Sequence, residues 1–230
     1  MTAFLSESLF FGAALTIACY FIGTLLRRRF KLAILNPTLL CVLMVIAVLC
    51  ATGVSYEGYM KGAGMLSCFL TPATVCFALP LYDKLSLLKK CWKAVVIGLI
   101  AGVLTSLVCI LLLCVIMKLP KEIYATLLPK SITSAIGMDV SVELGGVGSL
   151  TVASIILSGV FGSISAEWVF RIARVHSPVA KGLAIGASSH AIGTAKAVEM
   201  GKTEGAMSSL ALVVCGLVTV VLAPIFYGFL

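Results

Sequence analysis

Two short polar islands interrupt an otherwise apolar chain. The first reads Leu128-Pro129-Lys130-Ser131-Ile132-Thr133-Ser134-Ala135-Ile136-Gly137-Met138-Asp139, the second Ser188-Ser189-His190-Ala191-Ile192-Gly193-Thr194-Ala195-Lys196. Each sets hydroxyls beside an ionisable group, a combination suited to holding a small anion and carrying a proton. In the first, proline favours a helix start and Ser or Thr its cap. A helix that begins inside a membrane presents unpaired N–H groups and a partial positive charge, and such an end binds anions. Lys130 adds a full charge, so Lys130, Ser131 and Thr133 are candidate anion ligands. In the second, Ser188, Ser189 and Thr194 offer hydroxyls, and His190 titrates near neutral pH. Asp139 and Glu143 are four apart, one face of a helix, and with His190 are candidates for carrying a coupling proton or Na⁺. A plainer reading stands beside each. Lys130 snorkels from a capped helix at the interface. Asp139 and Glu143 lie at the aqueous boundary. His190 is satisfied by a backbone carbonyl within helix packing allowed by Gly182, Gly186 and Gly193.

Other chemistry finds little support. GxSxG, HExxH, P-loop and dinucleotide-binding patterns are absent, so an enzyme is not expected, nor a cofactor. The nine cysteines are scattered without a CxxC pair and read as small core residues, not as a disulfide set or metal site. The net charge of +8 follows from Lys and Arg gathering in cytoplasmic loops; no aromatic-basic module points to nucleic acid.

The elements that must position these islands are membrane helices. The 230 residues are 61% hydrophobic and 11% charged, where a soluble domain carries roughly 25% charged residues. At about 20 apolar residues per crossing, the length predicts an all-α integral membrane protein of about seven to eight segments, some broken or re-entrant, forming a single domain over 1–230. Apolar runs extend over Leu9–Leu26, Leu32–Thr52, Gly62–Leu81, Ala94–Met117, Leu150–Phe170 and Met207–Leu230. Ser55–Tyr59 and Glu199–Glu204 read as loops. Asn36-Pro37-Thr38 and Thr71-Pro72-Ala73-Thr74 are lesser site candidates, and Glu167 is placed to meet Arg171 at i+4. Basic clusters stand at Arg27–Lys31, Lys84–Lys93 and Arg171–Lys181. Placing all three in the cytoplasm makes Lys121–Gly148 start and end on the outer side, hence re-entrant; a full crossing there would send the Arg171 cluster outward. A faint repeat recurs at 57 residues: Leu70, Pro72, Ala78, Val95, Gly102, Val103 and Ser106 align with Leu127, Pro129, Ala135, Val152, Gly159, Val160 and Ser163. Inverted repeats with broken helices are an architecture of secondary transporters. The symmetry is incomplete, because segments 60–82 and 117–139 do not both cross.

With these residues assembled, the chain resembles the LrgB family (CidB-like), described as antiholin-like membrane proteins. The resemblance rests on Pro129-Lys130-Ser131-Ile132-Thr133, Glu143-Leu144-Gly145-Gly146, Gly186–Ala195 and Glu204-Gly205-Ala206-Met207-Ser208-Ser209-Leu210. It covers essentially the whole chain and is specific over 127–212. Asp139 stands where family members often carry Glu. The resemblance implies a bacterial cell membrane, a holin-like LrgA or CidA partner, and one of two functions. One is modulation of murein hydrolase export and lysis. The other, implied by the related plastid glycolate/glycerate transporter, is transport of short carboxylates such as pyruvate, glycolate or glycerate. The residues favour the second: substrate held by Lys130, Ser131, Thr133, Ser188, Ser189, His190 and Thr194, with Asp139, Glu143 and His190 for ion coupling. A homo-oligomer is left open.

Overall fold

The computed structural model describes residues 7–30, 37–69, 72, 75–76 and 78–230. Asn36, Thr71 and Thr74 of the lesser candidates, and Leu70 of the repeat, lie outside the described residues. All regular structure among the described residues is helical, and the chain divides into two compact units, Met1–Cys76 and Phe77–Leu230.

The first unit holds α1 (Phe11–Phe30), α2 (Pro37–Thr52) and α3 (Tyr56–Ser67). Arg27, Arg28 and Arg29 occupy the last turn of α1, where cations complement the helix dipole. Cys19, Cys41 and Val45 form the seam between α1 and α2. The hydroxyls of Thr16 and Tyr59 lie 2.8 Å apart and tie α1 to α3. Ser55–Tyr59, expected to be a loop, is instead a helix start: the Ser55 hydroxyl accepts the Gly58 N–H at 3.2 Å, with Glu57 in the first turn. Cap and acid together favour a helix here.

The second unit holds α4 (Ala78–Asp83), α5 (Leu85–Met117), α6 (Lys121–Leu127), α7 (Ser134–Glu143), α8 (Gly148–Ile172), α9 (Pro178–Met200) and α10 (Lys202–Tyr227). Lys89–Met117, Gly148–Ile172 and Lys202–Tyr227 are long and apolar enough to cross a membrane. They alternate in direction. The basic start of α5 shares a groove with Ser177, just beyond α8, and the far end of α10 meets Tyr124 of α6, whose hydroxyl donates to the Phe226 carbonyl at 2.8 Å. The Lys84–Lys93 and Arg171–Lys181 clusters therefore share one end of the unit, as the re-entrant reading requires. The basic cluster before Ala94 is itself helical, with a break at Cys91 (φ −117°, ψ 17°). The expected loop at Glu199–Glu204 shrinks to Gly201.

Between these spans lie two helical hairpins. After a left-handed turn at Lys118 (φ 51°), α6 runs back alongside α5 until the Ser131 hydroxyl sits 3.0 Å from that of Ser106, about 16 Å from the end of α5 at 1.5 Å per residue. Then α7 returns to its starting level. There the Thr151 hydroxyl donates to Ser141 Oγ at 2.6 Å, with the Thr126 carbonyl 3.1 Å away. The second hairpin is α9, a nominally continuous helix folded in two at His190 (φ 40°, ψ −134°). Its first arm packs Gly182 and Gly186 on Glu204, Met207 and Ser208 of α10, and its second arm packs Val198 on Gly205. Both arms thus lie against the first turns of α10.

The 57-residue offset carries α5 onto α8 and Lys121–Glu143 onto Pro178–Met200. The tips register one residue shorter. Ala135-Ile136-Gly137 and Ala191-Ile192-Gly193 hold matching positions, with Gly137 against the Pro129 carbonyl and Gly193 against the Ile185 carbonyl. In each hairpin a glycine on the outgoing arm lets it close on the incoming one. A methyl on Gly193 would stand 2.5 Å from Ser189 Cβ and 2.7 Å from Ile185 Cγ2, whereas one on Gly98 meets nothing within 4 Å. Gly193→Ala is expected to cost about 1–3 kcal/mol through overpacking, and Gly98→Ala to be neutral or mildly stabilising; thermal unfolding of the purified protein in detergent compares them.

Candidate functional site

Both hairpin tips are fastened to one turn of α8. The Ser158 hydroxyl donates to the Lys130 carbonyl at 2.9 Å. His190 Nε2 lies 2.9 Å from the Ile155 carbonyl. A carbonyl only accepts, so Nε2 carries the proton. The ring is buried at 3% exposure and packs against Gly159, while Ser189 packs against Gly162. Glycines on α8 make room for the second tip. The positive φ of His190 costs free energy in a non-glycine residue, and the Ile155 bond holds it there.

A groove of about 930 Å³ runs between α5 and the first arm of α9, from Cys91 and Ser177 at the basic end to Lys130 and Ser131. Lys130, Ser131 and Ser188 all line it. Of the other sequence candidates, Ser189, His190 and Thr194 are buried and face protein. The Thr194 hydroxyl donates to the His190 carbonyl at 2.9 Å and lies 2.9 Å from Ser208 Oγ, locking the second arm to the bend and to α10. Thr133 is the N-cap of α7, with no side-chain cap bond. Asp139 and Glu143 are exposed on α7, and no hydrogen bond or ion pair among the described residues joins either to His190. Glu167 lies 2.6 Å from Lys196 Nζ on the second arm, a cross-helix pairing in addition to its i+4 geometry toward Arg171. Lys196 also approaches Glu199, three residues on, at 3.9 Å.

Lys130 Nζ is 3.3 Å from Ser131 Oγ, and no carboxylate pairs with Lys130 among the described residues. A half-buried ammonium in a largely apolar groove is poorly solvated, so an anion placed there gains a charge-assisted hydrogen bond. Ser106 completes the polar end through its contact with Ser131. Ser106 and Gly102 carried a signal, since the repeat aligned them with Ser163 and Gly159. The Ile155 carbonyl carried none: an acceptor exposed by a neighbouring glycine is invisible in an apolar run.

Together these features define a helical membrane protein with two opposed helical hairpins meeting beside a cation that has no carboxylate partner among the described residues. Comparison with known proteins agrees with the membrane assignment and supplies the family. The profile of the LrgB-like family matches residues 16–229. The chain is 38% identical over 211 residues to the holin-like protein CidB of Staphylococcus aureus (strain N315), covering 92% of each chain. It is 37% identical over 211 residues to the holin-like protein CidB of Staphylococcus epidermidis (strain ATCC 12228 / FDA PCI 1200), again covering 92% of each. It is 36% identical over 218 residues, 94% of each chain, to the antiholin-like protein LrgB of Bacillus subtilis (strain 168). The chain belongs to the LrgB-like family. No solved structure matches it.

The Thr194 contacts generate a stability prediction. Thr194→Val removes a buried hydroxyl and leaves Ser208 short of a partner, so it is expected to lower stability by about 1–3 kcal/mol. Labelling of Cys109 in the groove is expected to stay at the wild-type rate. Thermal unfolding and thiol labelling measure the two effects.

Proposed function

We propose that this chain serves a holin-like membrane system as a transporter, or main transporter subunit, for small monocarboxylates such as pyruvate, glycolate or glycerate. The observation that carries this reading is the Lys130 ammonium in the groove, with no carboxylate partner among the described residues, where two hairpins from opposite ends of the unit meet on one turn of α8. Secondary transporters place their sites between inverted repeats with broken helices. Lys130, Ser131 and Ser188 receive the carboxylate. Thr133, at the uncapped start of α7, adds backbone N–H groups. Ser189, His190 and Thr194 shape the second tip and come within reach of substrate if its bend opens. Ion coupling falls to His190, Asp139 and Glu143. With Nε2 committed to Ile155, Nδ1 is the histidine nitrogen left for a proton. The chain acts as one domain in a bacterial cell membrane, crossing it several times. A small holin-like protein is its partner.

The relatives' names favour a second reading. Holin-like CidB and antiholin-like LrgB are named for lysis control, not for carboxylate transport. On that reading the chain regulates murein hydrolase export with its holin-like partner and passes no solute.

The test is uptake of labelled pyruvate, glycolate and glycerate into proteoliposomes under an imposed pH gradient, with and without the small partner. The transport reading expects saturable uptake that collapses with the gradient. Lys130→Ala should lower it about tenfold or more, the loss of one hydrogen bond to a charged group, and His190→Ala should weaken its dependence on pH. Wild-type uptake in both variants overturns the site; no uptake in any preparation favours lysis control.

A further inference from the structure

The groove is much larger than a three-carbon acid. Six heavy atoms fill on the order of 200 Å³, taking about 30 Å³ for each as for a water in the liquid, against about 930 Å³ of groove. Ser106, Lys130, Ser131 and Ser188 line it, and Ser177, whose hydroxyl caps α9, lies at the basic end. The walls between are largely apolar. Thr105, on the same lining, spends its hydroxyl on the Ala101 carbonyl at 2.7 Å. Small residues line the walls: Gly98 and Gly102 on α5, and Ala184 and Ala187 on α9. A methyl on Gly102 would meet only Ala187 Cβ, at 3.8 Å, and one on Gly98 would meet nothing. From Ser106 back to Gly98 is about 12 Å along α5 at 1.5 Å per residue, room for several carbons in extended form.

We infer that this groove takes monocarboxylates with an apolar tail beyond three carbons, the carboxylate on Lys130 and the tail along Gly98, Gly102, Ala184 and Ala187. The inference rests on the carboxylate reading of the same site and adds its substrate class. Charge and wall chemistry select the occupant. One unpaired cation matches one carboxylate; a second carboxylate would lie unpaired against apolar wall. Beyond the third carbon, a hydroxyl on the tail would lose its hydration there without new partners, whereas each CH₂ taken from water gains affinity. Gly102 is then the gauge of tail length, because any side chain at that position projects into the tail's path.

A native thiol reports occupancy. Cys109 lines the groove together with Lys130 and is accessible, while Cys68 is an exposed thiol of the first unit. The full chain in nanodiscs is labelled with N-ethylmaleimide, and the rates at Cys109 and Cys68 are read by peptide mass spectrometry in the presence of straight-chain 2-oxo acids of increasing length. These acids are ionised at neutral pH and cross lipid poorly. Protection of Cys109, with Cys68 unchanged, is expected at concentrations that fall roughly three- to fourfold per added CH₂. Gly102→Leu should flatten that dependence. Gly102→Ala, which introduces only an ordinary contact, should weaken it partially. Protection independent of tail length in the wild type, or an unchanged length dependence in Gly102→Leu, overturns the inference. Paired with proteoliposome flux, the outcomes separate. Length-dependent protection without flux keeps the groove's ligand class and removes the transport reading. Pyruvate flux without length dependence does the reverse. Neither protection nor flux removes both.

Discussion

Two hydrogen bonds to a single helical turn hold the middle of the second unit together. Backbone polar groups that leave a helix inside hydrocarbon must find partners, since no water is there to bond them. Each hairpin breaks its helix at mid-depth, and each meets the requirement on α8: the Lys130 carbonyl through Ser158, the His190 ring through the Ile155 carbonyl. The remaining structure follows from bringing the tips there. Gly159 and Gly162 clear space for the second tip, Gly182 and Gly186 let its arm lie on α10, and the Thr151 hydroxyl, bonded to the Ser141 hydroxyl and the Thr126 carbonyl, closes the first hairpin. Packing among small residues with hydroxyl bonds across helices is the usual solution where lipid removes any hydrophobic preference between helices.

The same constraint accounts for the site. A tip fastened to α8 by backbone and imidazole leaves its remaining side chains free to face the groove. Lys130 is held by its own carbonyl with its ammonium turned toward Ser131. Ser188 lies next to a residue whose side chain is buried. Positioning and ligand binding are thus divided between neighbouring residues, so the polar islands look denser in chemistry than the groove that they line.

How much of this is legible in the chain depends on whether the physical cause is local. The fold-back of 118–148 can be read as one of two options, because basic clusters on both sides of it favour one membrane face and Pro129 marks the break. The second hairpin cannot. Pro178–Met200 has the length of a crossing and no internal proline, and its reversal sits on His190, a residue type with no special liking for positive φ. Only tertiary partners, the Ile155 carbonyl above all, stabilise that bend. Ser55–Tyr59 shows the opposite error: aromatic and acidic residues suggest a loop, yet a serine cap starts a helix. For the site, Lys130, Ser131 and Ser188 share a groove as their chemistry suggests. Thr194 belongs instead to the scaffold, because a helical threonine bonds equally well to a carbonyl four residues back. Family membership was legible from 127–212, the stretch that contains both tips.

Gly201 is the whole connection between the second hairpin and α10. One residue allows almost no slack, and the Val198–Gly205 and Thr194–Ser208 contacts bridge the same corner. The returning arm and α10 are therefore geared as one lever. The incoming arm is reached from α8 through the longer 173–177 stretch, yet Gly182 and Gly186 seat it on the backbone of α10. The wall that carries Ala184, Ala187 and Ser188 is therefore braced from behind by the same helix.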